Sequence, residues 1–215
     1  MCPKVTTEHE QEQRARILGA SATCFSRAGV RRTTIQDICD EAGLSKGGLY
    51  TYFKAKDEIL AAVVEHSLEA SIQRAMAAAE DATSTPLEKL DRIAVALTEG
   101  LISGEIAPGL SSQLFLEVWA EASKDDRLRV LCARGYAQWR AFLAGLLRQA
   151  QGEGQLRADI NADALAAILV SVFDGLGLQE AITKARIDWR LIVQTLRVAI
   201  GEGMFTQGSR SGGVR

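Results

Sequence analysis

The sequence predicts an all-α protein, and three observations carry that prediction. Only three prolines, Pro3, Pro86 and Pro108, interrupt 215 residues, so long helices meet few obligatory breaks. Apolar residues recur at helical spacing along most of the chain. Alternating runs of Val, Ile, Thr and aromatics are nearly absent, and no convincing strand is found. A hydrophobic fraction of 47% supplies a core for one large or two modest domains and excludes a disordered or fibrous chain.

Leu18, Ala22 and Phe25, spaced i, i+4 and i+7, predict a first helix over residues 8–27, closed by Gly29. Thr33 or Thr34 offers an N-cap for a short second helix whose face is Ile35, Ile38, Cys39 and Ala42. Gly43 then permits a tight turn, Leu44 plugs the core, and Ser45 caps a third helix running to about Phe53. Residues 56–82 read as one long helix through Ile59, Leu60, Val63, Val64, Leu68, Ile72 and Met76, its N-terminus favoured by Asp57 and Glu58. Pro86 opens a fifth helix with Leu90, Ala94, Leu97 and Leu101 on its face, and residues 104–109 interrupt again. Helices over 110–123, 125–151, 163–182 and 188–201 bring the total to about nine. Residues 209–215 read as a disordered tail.

The net charge of −2 argues against coating nucleic acid by bulk electrostatics, but the distribution is uneven. Between residues 27 and 56, Arg27, Arg31, Arg32, Lys46, Lys54 and Lys56 outnumber Asp37, Asp40 and Glu41, which suits a localised phosphate contact. Cys2, Cys24, Cys39 and Cys132 are widely spaced, with no C-x-x-C pair and no histidine to complete a zinc set, so they read as reduced thiols with no metal and no cofactor. The polar start carries no secretory signal. The apolar stretch over 164–173 is too short to span a bilayer, so a cytoplasmic protein without membrane contact is expected. An enzyme fits poorly, and no catalytic residue is assigned. His9 and His66 are the only histidines, no Ser-His-Asp set surrounds them, and neither a phosphate loop nor a strand-linked G-x-G-x-x-G occurs.

The most informative run is Thr33-Thr34-Ile35-x-x-Ile38, then Ala42-Gly43-Leu44-Ser45-Lys46-Gly47, then Leu49-Tyr50-x-Tyr52-Phe53 and Lys56. A glycine turn between two short amphipathic helices holds the second rigidly enough to enter a major groove. Leu44, Leu49 and Phe53 face inward in this reading, leaving Lys46, Gly48, Tyr50, Thr51 and Tyr52 outside, with Ser45 at the helix start. Lys46 can donate to phosphate or guanine, Thr51 can touch a base edge, and the tyrosine hydroxyls can anchor phosphates. Gly47 and Gly48 allow close backbone approach, and Thr33, Thr34 and Lys56 stand at helix starts, where anions bind. The bland alternatives are that the threonines are caps, the tyrosines pack, and the lysines are solvated.

Over residues 12–65, with Phe25, Gly29 and Asp37 included, this run resembles the DNA-binding head of tetracycline-repressor-like (TetR family) regulators. Farther on, the resemblance rests on helix order and on pieces such as Gly154-x-Leu156 and Asp174-Gly175-Leu176. It implies phosphate contacts at Thr33, Thr34 and Lys56, and a division into a helix-turn-helix DNA-binding domain over 1–55 and a ligand-binding and dimerisation domain over 56–208. Gly48 departs from the family, whose members more often carry a side chain there, so fewer direct base contacts are expected.

Aromatics in a helical bundle are usually core. The resemblance adds a small-molecule pocket, for which Phe115, Trp119, Tyr136, Trp139 and Phe142 are candidate walls and Ser112, Gln113 and Asp174 polar handles. Leu165, Ile168, Leu169, Val172, Leu176, Trp189, Val193 and Leu196 form stripes too rich for one buried face, and the family implies a four-helix homodimer interface. The expected function is a repressor that binds a palindromic double-stranded DNA operator as a dimer, its heads about 34 Å apart, and is released by a small-molecule effector. A helical protein-interaction module without DNA, or an activator, remains an alternative.

Overall fold

In the computed structural model, residues 7–102, 105–107 and 109–204 are described. They form α1 (Thr7–Ala28), α2 (Ile35–Ala42), α3 (Lys46–Tyr52), α4 (Lys56–Ala78) and α5 (Pro86–Ile102). After a small ribbon of β1 (Glu105–Ala107) and β2 (Leu110–Ser111) come α6 (Ser112–Ala122), α7 (Asp126–Gly152), α8 (Ala162–Thr183) and α9 (Trp189–Met204). The all-α architecture of the sequence reading holds. The expected tail at 209–215, and Cys2, lie outside the described residues.

The ribbon is the element the sequence did not announce. Its antiparallel strands pair Glu105 with Ser111 and Ala107 with Leu110, and Gly109 takes a left-handed φ of +73° between them. Strands of two and three residues are too short to leave an alternating pattern.

The chain divides into two compact units, and two of the three boundaries fall inside helices, α4 and α7. The first unit takes the described residues within 1–71 and 104–135: α1 to α3, most of α4, the ribbon, α6 and the start of α7. Ile17, Phe25, Ile38, Leu49, Phe53, Ile59 and Leu114 are fully buried in one cluster there. Local chemistry fixes its short helices. The Thr34 hydroxyl accepts from the Asp37 N–H (3.2 Å) while the Asp37 carboxylate accepts from the Thr34 N–H (2.8 Å), a reciprocal cap for α2. Gly43 closes α2 at φ +62°, and the Leu44 N–H returns to the Cys39 carbonyl at 2.9 Å.

The second unit takes the described residues within 72–103 and 136–215. The Asp81 carboxylate accepts from Thr83 and Ser84, folding the chain into a turn, so α4 ends at Ala78, four residues before the sequence reading placed its end. Thr85 and Glu88 cap α5 reciprocally, with Pro86 at the first helical position. Leu147, Ala150, Leu156, Leu165 and Ala166 make one cluster; Ala75, Ile93 and Leu146 make another. Trp189 is 1% exposed, stacks on Phe173 with ring centroids 6.0 Å apart, and donates its indole N–H to Glu180 at 2.9 Å.

Three side chains assigned to a dimer interface are therefore reassigned. Leu165, Trp189 and Val193 are buried within their own unit and cannot also face a partner. A helix with apolar residues on two faces does not reveal in its sequence which face its own chain will cover.

Trp189→Ala removes the largest fully buried side chain and orphans Glu180. It is expected to cost about 3–5 kcal/mol, read as a drop in the denaturant midpoint; a loss below about 1 kcal/mol would show that Trp189 is not a core residue.

Candidate nucleic-acid interface

α3 has seven residues, too few to be stable alone, so its orientation comes from what it buries. Leu49 and Phe53 are fully buried, Leu44 and Tyr52 pack half-buried against the same cluster, and the Arg14 guanidinium lies 4.6 Å above the Phe53 ring. Anchored on that side, α3 turns Lys46, Gly47, Tyr50 and Thr51 to solvent, with Tyr50 50% exposed. Ser45 caps the helix by accepting from the Gly48 N–H at 3.1 Å, and the Thr51 hydroxyl donates to the Gly47 carbonyl at 3.1 Å. The polar face expected from the sequence is present, except that Tyr52 is partly withdrawn into the core. Thr34 is exposed at the start of α2, where its N–H and hydroxyl hold the Asp37 carboxyl below the usual carboxylate range.

Two expected phosphate contacts are not offered. Thr33 is 1% exposed, and its hydroxyl is directed at the carbonyls of Gly29 (2.8 Å) and Cys24 (3.1 Å). The Lys56 ammonium donates to the carbonyls of Val30 (2.7 Å), Thr33 (2.9 Å) and Arg31 (3.4 Å), so its protons hold the turn between α1 and α2 rather than pointing outward. A polar residue beside a helix start has the same sequence signature whether it faces water or folds back on carbonyls.

Gly47 and Gly48 are not required by the protein's own packing. A Cβ would meet the Ser45 hydroxyl oxygen at 3.9 Å and 3.4 Å respectively, which is ordinary contact. Gly43 differs, since a Cβ there would lie 2.6 Å from the Arg16 guanidinium, which donates to the Gly43 carbonyl at 3.2 Å. Arg16 and Arg14, supports of the motif from α1, escaped the sequence reading because contacts 27 and 39 residues away leave no periodic trace.

The eight candidate pocket residues divide between the units. In the first, Ser112 is half-buried, Gln113 exposed, and Phe115 packs on Trp119 with centroids 5.2 Å apart. In the second, Trp139 meets Phe142 edge-on at 6.3 Å, and the Tyr136 hydroxyl donates to Asp174. Protein atoms crowding the Asp174 carboxyl push its pKa up to about 6, against the smaller opposing pull of Tyr136. Of the dimer candidates, Leu169, Val172, Leu176 and Leu196 are half-buried and Ile168 is 57% exposed; Ile182, Leu191 and Val198 add exposed apolar surface. α8 is long and apolar enough to cross a membrane by composition, yet only 17% of its most apolar stretch is buried within the chain.

Comparisons with known proteins agree with this geometry. Residues 17–63 match the family described as bacterial regulatory proteins, tetR family, and residues 86–202 match the C-terminal portion of BetI-type transcriptional repressors. The HTH-type transcriptional regulator YfiR of Bacillus subtilis is 29% identical over 178 residues, covering 82% of this chain and 83% of the relative. TtgR of Pseudomonas putida is 27% identical over 177 residues, covering 80% and 81%. Among solved structures, a transcriptional regulator from Saccharomonospora viridis in complex with choline superposes with a TM-score of 0.76 at 25% identity, covering 91% of this chain and 98% of that one.

Gly48→Ala is expected to raise thermal stability, by up to about 1 kcal/mol, while weakening duplex DNA binding. Stabilisation with unchanged DNA affinity would end the case for close backbone approach. For Asp174, the raised folded-state pKa means its contribution is full below about pH 3.8 and lost as pH climbs through about 6. Asp174→Asn should therefore flatten stability between pH 4 and 6 and exceed the wild type at pH 7 by at most about 3 kcal/mol, measured by chemical denaturation at each pH.

Proposed function

The chain belongs to the TetR family of bacterial transcriptional regulators, with a rear portion of the BetI-type repressor class, and from that premise we propose that it represses by binding a palindromic operator through α3. It is a ligand-responsive regulator and not an enzyme.

Ser45, Lys46, Gly47, Gly48, Tyr50 and Thr51 make the contact in this reading, with Thr34 at the N-terminus of α2 and the edge of Tyr52 completing it. The observation that carries it is the two-sidedness of α3, with Leu49 buried completely while Lys46 and Tyr50 are exposed on the opposite side. Lys46 has no ion pair or hydrogen-bond partner among the described residues, so its charge is available to a phosphate or a guanine edge.

Residues 1–55 act as the reading domain and 56–208 as the sensing and dimerising domain. The partner surface is the exposed apolar part of α8 and α9, with Ile168, Leu169, Val172, Leu176 and Leu196 retained from the sequence reading and Leu191 and Val198 added. Support comes from α8, whose uncovered apolar surface is unfavourable in water unless a second copy covers it. Two heads held about 34 Å apart then read successive major grooves. The protein acts in the bacterial cytoplasm, where its operator is.

The effector is a small molecule that contacts the Tyr136–Asp174 pair and neighbouring aromatics. A cationic effector is favoured by the choline held by the Saccharomonospora viridis protein and by the attraction of a partly desolvated carboxyl for positive charge. Effector and operator then weaken each other's binding by the same factor.

A mobility-shift series tests the reading. With about eight phosphate contacts per dimer, affinity should fall by roughly 10³ to 10⁵ between 50 and 200 mM salt, whereas a flat response excludes a phosphate-dominated interface. Lys46→Ala, which removes one phosphate contact from each protomer, is expected to lower the salt slope by about 2 and Tyr50→Ala to weaken binding, both with the dimer intact by light scattering.

A further inference from the structure

We propose that Glu117 on α6 is a positioning residue for DNA recognition: its carboxylate holds the turn between α1 and α2, and through that turn the pose of α2 and α3. The proposal rests on the operator reading above and names a residue of the first unit that the recognition motif does not contain.

The turn over residues 29–33 is gripped from two helices. Lys56 on α4 donates to the carbonyls of Val30, Arg31 and Thr33. Glu117 accepts from the Val30 N–H at 2.7 Å across 87 residues of sequence. Val30 is itself buried at 6% exposure, so both polar groups of one buried peptide segment are satisfied by opposite charges from different helices. The seat for the carboxylate is shaped by Gly29, whose φ of +84° favours glycine and where a Cβ would stand 2.8 Å from a Glu117 carboxylate oxygen. Thr34, the N-cap of α2, follows the turn directly, and Gly43 connects α2 to α3, so displacement of the turn is passed on to the reading helix.

Glu117 is also the lone charge in the run Leu114-Phe115-Leu116-Glu117-Val118-Trp119-Ala120, whose Leu114, Phe115 and Val118 are core. One helical turn on, Glu121 pairs with Arg31 at 3.6 Å, but Arg31 is 82% exposed and that pair is worth little. A cavity of about 220 Å³ opens beside the contact, lined by Gly29, Arg31, Glu117 and Glu121 among others. Val30 also packs in the same buried cluster as Leu114, Phe115 and Val118 of α6, so the polar contact is added to an apolar one. The Glu117 bond therefore ties the turn to α6, whose own position is fixed by Leu114, Phe115 and Val118 in the core.

The test uses the full chain, a duplex selected by the wild type from a random pool, and an unrelated duplex of equal length. Glu117→Ala should lower affinity for the selected duplex about tenfold or more, the scale for losing a hydrogen bond to a charged acceptor, while leaving affinity for the unrelated duplex unchanged. Glu117→Gln, which keeps an acceptor oxygen at the same reach, should restore most of the preference. Without DNA, amide exchange over residues 30–33 should quicken in Glu117→Ala and stay near wild type in Glu117→Gln. Equal losses on both duplexes, or an unaltered preference, overturns the positioning role, and unchanged exchange overturns the contact behind it. If the wild type itself prefers no duplex, the operator reading falls with the positioning role, while the exchange data still decide separately whether Glu117 holds the turn.

Discussion

A seven-residue helix opening with Lys-Gly-Gly cannot hold itself in water, and the reading surface of this protein depends on that constraint being met from outside. Leu49 and Phe53 meet it by burial, Ser45 by capping, and Gly43 by a left-handed turn no longer residue adopts comfortably. Leu49 and Phe53 lie on the inner side of α3. On the outer side Lys46 and Tyr50 stay exposed, a condition for meeting a ligand as large as a duplex.

The same logic extends one layer back. α2 is held by its cap at Thr34, and the turn before it by Lys56, Thr33 and Glu117, which together satisfy backbone groups that a glycine-containing turn would otherwise leave unpaired. Specificity in a protein of this kind is geometric before it is chemical, because a base-reading side chain is useful only if its helix arrives at a fixed angle. Residues that never touch DNA can then govern recognition.

In the second unit the governing fact is a surplus of apolar surface. α8 is too hydrophobic for one buried face, and the unit covers Leu165 and Ala166 while leaving Ile168 exposed. Asp174 lies on the same helix beside Tyr136, a carboxyl whose ionisation the surroundings disfavour. The proposed homodimer would cover the apolar excess, and the proposed cationic effector would meet the carboxyl, as the reading of a ligand-responsive regulator requires.

The sequence by itself determined what depends on near neighbours: helix order, a cap at Thr33 or Thr34 and one at Ser45, the glycine stop at Gly43, and the inward set Leu44, Leu49 and Phe53, since periodicity and capping act within a few residues. The exposure of Lys46 and Tyr50 followed from the same period. Tertiary structure alone decided the rest. It turned Thr33 and Lys56 back onto carbonyls, drew Leu165, Trp189 and Val193 inside, and set Glu117 against Val30. Those outcomes depend on which distant backbone groups need a partner and which apolar face meets a neighbour first, and neither quantity is written in local spacing.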